Sequence, residues 1–261
     1  MRRFAFAELL ETHLRVQAGC YVSGVEAGPA GARYLWSGRI AEPGLNLAVG
    51  TGDLGWVRAV AGRHGRQPAI LAADAAEAGR FDGHPALRAA VPTRWMIRPC
   101  APAGAAALPG GMAVTVECGP APGEAYLSVC RALYPDPAIN AAAEAVYLPV
   151  LREARAVEGV ETHHLTLSRN GRPVACASVY RRGDLAGLYN VGTRAEEQGR
   201  GLGALATRLA VRIAGAAGAA ALMLQCRAGT HVERLYAGLG FTVAESPSLL
   251  VFAADREPEE G

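Results

Sequence analysis

The stretch EEQGRGLGALATRL, residues 196–209, places three glycines at alternate positions where an apolar helical pattern begins. They are Gly199, Gly201 and Gly203. Glycine loses more conformational entropy on folding than any other residue, so a glycine cluster at a helix start indicates that something approaches the backbone closely. Phosphate groups bind readily at such helix starts, because the first backbone N–H groups of a helix have no internal partner. The stretch therefore predicts a phosphate-binding turn between a strand and a helix.

The segments around this turn alternate between strand and helix patterns. LAGLYNVGT, residues 185–193, predicts a strand before the turn, and AALMLQC, residues 220–226, predicts a buried strand after the helix. Upstream, residues 163–180 predict two strands joined at Asn170-Gly171, which is a strong hairpin signal. The sequence therefore predicts an α/β (α+β) protein with a mixed sheet flanked by helices.

A Pro- and Gly-rich segment divides the chain. RPCAPAGAAALPGG, residues 98–111, holds three prolines and three glycines and interrupts any periodic pattern. We therefore expect two domains, residues 1–102 and residues 103–261.

Composition excludes several kinds of function. The chain has 261 residues with 51% hydrophobic residues, enough for a packed core, and its net charge of +2 comes without a basic run typical of nucleic-acid binding. All 26 basic residues are arginines. The absence of lysine excludes a Schiff-base lysine and the phosphate-binding lysine of Walker nucleotide sites.

The six cysteines show no C-x-x-C pairing, so we expect neither a metal site nor a disulfide framework. The first 17 residues contain Glu8, Glu11 and His13 within an apolar pattern, which favours a surface helix over a secretory signal. No apolar run is long enough to span a membrane. We therefore expect a cytoplasmic protein that binds neither membranes nor nucleic acid, and the sequence leaves its oligomeric state open.

The glycine turn alone allows other interpretations. A tight turn without any ligand fits the pattern, since the chain holds 32 glycines. A nicotinamide site would use Gly199, Gly201 and Ala204 as G-x-G-x-x-A, but that motif belongs after the first strand of its domain. It also requires an acidic residue about 20 positions later, and residues 214–226 contain none.

The turn resembles the acyl-coenzyme A signature of the GNAT superfamily of N-acetyltransferases, R/Q-x-x-G-x-G/A. Gln198, Gly201 and Gly203 match it, with Ala204 following. About 30 residues later, LYAGLGF, residues 235–241, is similar to the LY-x-x-LGF segment of the same family. Both motifs stand in the family's order and spacing.

The resemblance extends to a tandem GNAT subclass. GRPVACAS, NVGT, QGRGLG, LQC and LYAGLGF follow that subclass's catalytic half, which covers residues 103–254 well. LNLAVG and RWMIRP are similar to its degenerate first half. Residues 1–102 hold no R/Q-x-x-G-x-G motif, so we assign them no acyl-CoA site and expect them to shape one wall of the acceptor cleft.

The resemblance implies acetyl-CoA as co-substrate, direct attack by an acceptor amine, and a splayed strand that pairs with the pantetheine arm. It also implies the residues that bind the coenzyme. These are Val191, Gly192 and Thr193 on the strand, and Gln198, Gly199, Arg200, Gly201, Leu202, Gly203 and Ala204 around the pyrophosphate.

The chemistry needs a proton donor for the thiolate and a proton acceptor for the amine. By resemblance Tyr236 is the donor, although a buried aromatic packed on Phe241 is the alternative. Many relatives carry a Glu on the fourth strand, where this chain has Gly187 and Leu188. The candidate acceptors are Tyr189, Asp184, and one of His163 and His164, because neighbouring strand residues face opposite sides. Water could also accept the proton.

We therefore expect an N-acetyltransferase that acts on an amine of a small molecule or peptide. A non-catalytic acyl-CoA sensor and an inert interaction domain are the alternatives. The acceptor and the acyl-chain length are left open.

Overall fold

The computed structural model describes residues 4–100 and 108–254, so the predicted boundary between residues 102 and 103 lies outside the described residues. The helices are α1 (Phe6–Gln17), α2 (Leu54–Arg63), α3 (Ala75–Gly79), α4 (Glu124–Cys130), α5 (Pro137–Arg152), α6 (Leu202–Ala216) and α7 (His231–Gly238). The strands are β1 (Gly24–Ala27), β2 (Arg33–Trp36), β3 (Leu47–Val49), β4 (Ala69–Ala72), β5 (Leu87–Pro99), β6 (Met112–Cys118), β7 (Glu161–Arg169), β8 (Arg172–Arg182), β9 (Leu185–Thr193), β10 (Ala221–Arg227), β11 (Thr242–Glu245) and β12 (Ser248–Phe252).

The chain forms two compact units that interleave in sequence. The larger unit holds Met1–Cys20, Met96–Leu224 and Arg234–Thr242. The smaller unit holds Tyr21–Trp95, Gln225–Glu233 and Val243–Gly261. The division into residues 1–102 and 103–261 stays a prediction.

The larger unit is built on the strand order β10-β9-β8-β7-β6. β9 and β10 run parallel, whereas β6, β7, β8 and β9 are joined by antiparallel pairing. The hairpin between β7 and β8 turns at Asn170-Gly171, where both residues have positive φ angles of 49° and 79°. These angles suit the tight turn that Asn-Gly predicted.

Two irregularities in β9 position the glycine turn that follows it. Its pairing with β10 covers three residue pairs and ends at Gly187 opposite Met223. Beyond that pair β9 continues to Thr193, and within the described part of the chain no strand pairs with this edge of it. Two residues of β9, Asn190 and Val191, also lie opposite one residue of β8. Asn190 has a φ of 54°, so this bulge bends the strand where its β10-side edge is unpaired.

The strands of the smaller unit follow the order β1-β2-β3-β4-β12-β5. β3 and β4 run parallel, and the other neighbours are antiparallel. Its core packs Tyr34, Ile70 and Phe252 against Val57 and Val60 of α2. The predicted mixed α/β fold is confirmed.

In residues 4–100 and 108–254 the chain has no helix of the length and apolar character needed to cross a lipid bilayer.

Candidate functional site

The glycine turn adopts a backbone that side chains disfavour. Gly199 and Gly201 have φ angles of 75° and 74°, in the left-handed region. A Cβ atom added at either residue would meet no other atom within 4 Å, so both glycines face open space. Glycine is required here by the backbone conformation, and the space beside the turn is free for a ligand.

Helix α6 begins directly after the turn and exposes its first amides. Gly201 is the N-cap, where no side chain accepts a hydrogen bond from the helix. The first helical bond runs from Leu205 N–H to Gly201 O, so the amides of Leu202, Gly203 and Ala204 have no acceptor within the helix. Together with the positive end of the helix dipole, these amides form an anion-binding position.

The side chain of Gln198 fixes the glycine turn by hydrogen bonds to neighbouring backbone oxygens. Its side-chain nitrogen donates to the backbone oxygens of Leu133, at 2.8 Å, and of Thr193, at 3.2 Å. The Ala195 amide also donates to the Ala132 oxygen at 2.8 Å. The glycine turn is thereby fixed to the end of β9 and to the loop after α4.

Arg200 contributes a positive charge beside the turn. Its guanidinium lies 3.0 Å from a carboxylate oxygen of Glu197, which also bonds Arg169 at 2.6 Å. The Glu197 side chain is only 11% exposed, whereas that of Arg200 is 55% exposed. Two arginines therefore share one buried carboxylate, and the group of three keeps a net positive charge.

At Gly192, strand β9 is packed too closely for a side chain. A Cβ atom there would lie 2.7 Å from Leu133 Cδ2 and 3.3 Å from Cys176 Sγ. Neighbouring Val191 and Thr193 are partly exposed, and a Cβ atom added at Gly203 would lie 3.8 Å from Thr193 Oγ1. The end of β9 and the glycine turn are therefore adjacent.

Tyr189 occupies the space beside Gly187. A Cβ atom at Gly187 would lie 2.9 Å from both Cζ and the hydroxyl oxygen of Tyr189, so the phenol ring replaces a side chain at that position. The Tyr189 hydroxyl lies 3.0 Å from His13 Nδ1, and the two rings stack with centroids 5.9 Å apart. His13 comes from α1, 176 residues earlier in the chain, and no motif in the sequence connects the two.

Burial sets the charge state of this pair. Desolvation lowers the pKa of His13 to about 4, so the imidazole is neutral at pH 7. Desolvation also raises the pKa of Tyr189 far above its ordinary value. A neutral phenol therefore faces a neutral imidazole, and the hydroxyl donates to Nδ1 when that nitrogen carries no proton.

The other candidate proton acceptors lie elsewhere. His164 is fully buried with Nδ1 2.8 Å from Ser178 Oγ and Nε2 3.1 Å from the Pro120 oxygen, and burial lowers its pKa. His163 lies on the opposite side of the strand with Nδ1 3.3 Å from Cys118 Sγ. Asp184 is exposed in the turn before β9. Of the four candidates, Tyr189 alone borders the point where β9 and β10 cease to pair.

Tyr236 lies on α7, in the same unit as the glycine turn. It is 8% exposed, and its ring makes an edge-to-face contact with Phe241 at 5.7 Å. The packing on Phe241 matches the structural alternative, while a role as proton donor stays a prediction.

Comparisons with known proteins place this site in a family. The model of the acetyltransferase (GNAT) family matches residues 129–241, which include β7 to β10, the glycine turn and all of α7. No curated protein matches the chain.

Solved structures share the fold over most of the chain. A GCN5-related N-acetyltransferase from Kribbella flavida is 19% identical, with a TM-score of 0.64 over 94% of this chain and 95% of its own. A tandem GNAT protein from the clavulanic acid biosynthesis pathway is 15% identical, with a TM-score of 0.59 over 88% and 82%. A putative GNAT acetyltransferase from Novosphingobium aromaticivorans is 19% identical, with a TM-score of 0.53 over 90% and 93%. At these identities the likeness concerns the fold.

The family match and the fold agree with the two sequence motifs, and the predicted resemblance is confirmed. Residues 129–241 therefore form a domain that matches the GNAT family of acetyltransferases.

Proposed function

We propose that the protein is an acetyl-CoA-dependent N-acetyltransferase whose acceptor is an amine of a small molecule or peptide. The observation that carries this proposal is the uncapped start of α6, which presents free amides beside two left-handed glycines. A pyrophosphate is an anion of the charge and size that such a helix start binds. GNAT family members use acetyl-CoA, which contains this group.

The strand edge supplies a second binding element. Residues 188–193 of β9 have no strand partner on the β10 side among the described residues, so an extended ligand can pair along this edge of the strand. Val191, Gly192 and Thr193 would hold the pantetheine arm by added-strand hydrogen bonds. Gln198 to Ala204 would surround the pyrophosphate, with Arg200 supplying charge.

Transfer then requires two proton movements on this chain. The amine attacks the thioester carbon, a C–N bond forms, the C–S bond breaks, and the amine nitrogen loses a proton to a base or to water. A thiol has an ordinary pKa of about 8.5, so the departing thiolate is stabilised by a nearby proton donor. We assign that donor role to Tyr236, whose hydroxyl lies on a largely buried ring.

We further propose that the smaller unit is the degenerate half of a tandem GNAT arrangement, without a coenzyme of its own. Its β3-α2-β4 segment has the strand-helix-strand order of β9-α6-β10, with parallel strands in both. The likeness to a tandem GNAT protein supports this interpretation. Six free cysteines fit a reducing compartment, so we propose a cytoplasmic location.

Calorimetric titration with acetyl-CoA, and with NADH in parallel, tests the coenzyme first. We expect micromolar binding of acetyl-CoA and none of NADH. Absence of acetyl-CoA binding would mean that the turn is structural and the proposal is wrong.

Turnover is tested by a screen of amines with detection of the released thiol. Tyr236→Phe should lower kcat about 100-fold while the Kd for acetyl-CoA stays unchanged, because it removes only the proton donor. Tyr134→Phe, at a tyrosine that is 45% exposed, is the matched control and should leave both unchanged. Binding without turnover of any amine would indicate an acyl-CoA sensor.

A further inference from the structure

Two buried cysteines meet next to the strand that is proposed to bind the coenzyme. Cys130 Sγ and Cys176 Sγ lie 4.0 Å apart. We propose that this pair is a modification site, at which a peroxide forms a disulfide between Cys130 and Cys176, and that the disulfide weakens acetyl-CoA binding. The effect on acetyl-CoA rests on the proposed function, whereas the disulfide itself does not. Disulfides of this kind in cytoplasmic proteins are transient and respond to oxidants.

The packing of α4 on β8 brings the two sulfurs together. Cys130 is the last residue of α4, and Cys176 lies within β8. Four residues before Cys130 and two residues after Cys176, the Tyr126 hydroxyl lies 2.7 Å from Ser178 Oγ. Residues four apart share a helix face and residues two apart share a strand face, so both contacts join the same two faces. The hydrogen bond therefore fixes the register in which the sulfurs meet.

Cys130 is the thiol of the pair that reacts first. The hydrogen bond with Cys176 lowers the pKa of Cys130, and the charge of Arg131 lowers it further. The same hydrogen bond and burial raise the pKa of Cys176. By contrast, burial raises the pKa of Cys20 to about 12 and that of Cys100 to about 11. The thiolate is the form that reacts with peroxides, so Cys130 is oxidised first and Cys176 supplies the second thiol.

The oxidation balances with one molecule of hydrogen peroxide. The Cys130 thiolate attacks one peroxide oxygen and the O–O bond breaks. This step gives a sulfenic acid and a hydroxide, which takes up the proton that Cys130 released. The Cys176 thiol then attacks the sulfenic sulfur, an S–S bond forms, and the hydroxyl group leaves with the Cys176 proton as water. Two thiols are oxidised and one peroxide is reduced to two waters. A thiol reductant reverses the step by exchange.

Both cysteines adjoin parts of the chain that are proposed to bind acetyl-CoA. Cys176 Sγ donates to the Asn190 oxygen, at the bulge of β9, over 3.7 Å. A disulfide sulfur carries no proton, so oxidation removes this donor from the bulge. Cys130 precedes Ala132 and Leu133, whose backbone oxygens accept the hydrogen bonds that fix the glycine turn. Closing the pair brings the sulfurs together by about 2 Å, and this movement acts on both coenzyme-binding elements.

Mass spectrometry of the reduced protein tests the disulfide without any substrate. One equivalent of hydrogen peroxide should lower the mass by about 2 Da, and peptide mapping should join Cys130 to Cys176. Cys176→Ser lacks the second thiol, so Cys130 should stop at the sulfenic acid and gain about 16 Da. Cys118→Ser, at an exposed cysteine, is the matched control and should form the same disulfide. An unchanged mass, or a disulfide between other cysteines, would overturn the inference.

Calorimetric titration of the reduced and oxidised proteins with acetyl-CoA tests the second effect. The oxidised protein should bind about tenfold more weakly, within the usual range of coupling between two sites, and a thiol reductant should restore the affinity. Cys130→Ser should form no disulfide and keep its Kd under the same treatment. An unchanged Kd in the oxidised wild type would overturn the effect on the coenzyme.

The two measurements separate this inference from the function proposed above. A reduced protein that binds no acetyl-CoA would contradict that function, and the effect on the coenzyme would fail with it. The mass of the oxidised protein would still decide whether Cys130 and Cys176 form the disulfide.

Discussion

The two units contain the same local arrangement with opposite helix starts. In the larger unit β9 leads through the glycine turn into α6 and then into the parallel strand β10. In the smaller unit β3 leads through Gly50-Thr51-Gly52 into α2 and then into the parallel strand β4. Both turns contain G-x-G, so the motif alone does not separate them.

The side chains at the two helix starts are what differ. Asp53 caps α2, and its carboxylate accepts the Trp56 amide at 3.0 Å. Thr51 Oγ1 accepts the Asp53 amide at 3.0 Å. Helix α6 has Gly201 at the same place and no side-chain cap. A built-in carboxylate occupies the anion position of α2, whereas that of α6 is open.

A helix start is open to an anionic ligand when no side chain of the protein caps it. Capping by Asp contributes about 1 kcal/mol to helix stability. Helix α6 of the larger unit lacks this stabilising cap. An anionic ligand bound at its start would stabilise the helix in the same way.

The largest effect is expected from giving α6 the cap of α2. Gly201→Asp places a carboxylate where the pyrophosphate would bind, so sterics and charge should weaken acetyl-CoA binding at least 100-fold, or about 2.7 kcal/mol. Calorimetric titration of the folded variant measures the loss.

A matched control separates ligand repulsion from backbone strain. Gly171→Asp introduces the same residue at a φ of 79° in the β7-β8 hairpin, where a Cβ atom also meets nothing within 4 Å. It should cost similar stability and leave the Kd unchanged. Unchanged affinity in Gly201→Asp would remove the turn from the coenzyme site.

The sequence predicted the frame of the site better than its reaction centre. β9 lies at the predicted residues 185–193, because a strand, a glycine turn and an apolar helix each leave a local pattern. The bulge at Asn190 and Val191 was not predictable, since it depends on register with β8. The contact between His13 and Tyr189 joins elements 176 residues apart, and no local pattern encodes it.

The units also differ in how each holds a histidine stacked on an aromatic ring. His64 of the smaller unit stacks on Trp36 at 4.3 Å and pairs with the Glu26 carboxylate. His13 of the larger unit faces a phenol, and its pKa falls to about 4. As pH drops below 6.5, His13 becomes protonated in the unfolded chain and stays neutral in the folded protein. The free energy of unfolding therefore falls.

This linkage predicts a loss of about 2 kcal/mol in the free energy of unfolding between pH 7 and pH 5 from His13. Urea unfolding at both pH values measures it. His13→Phe has no group to titrate and should lose about 2 kcal/mol less than the wild type over the same interval. An identical pH dependence in the two proteins would contradict the assigned charge state.

A smaller effect is expected from removing the Gln198 hydrogen bonds that fix the glycine turn. Gln198→Ala removes the donor to the Leu133 and Thr193 oxygens, so the turn should lose order and bind acetyl-CoA about tenfold more weakly. Gln67→Ala is the matched control in the smaller unit, where the amide donates to the Phe252 oxygen at 3.3 Å. If both variants change the Kd for acetyl-CoA equally, the Gln198 hydrogen bonds have no specific role in binding.

The smallest effect is expected from removing the Asp53 cap of α2. Asp53→Ala should lower the free energy of unfolding by about 1 kcal/mol, because the Trp56 amide loses its acceptor. Asp53→Asn keeps an acceptor without the charge and should retain most of that stability. Both variants should bind one equivalent of acetyl-CoA with wild-type affinity, since the sequence has no counterpart of Gln198 before Gly50-Thr51-Gly52. A second equivalent bound by Asp53→Asn would mean that the charge of one carboxylate alone keeps the coenzyme out of the smaller unit.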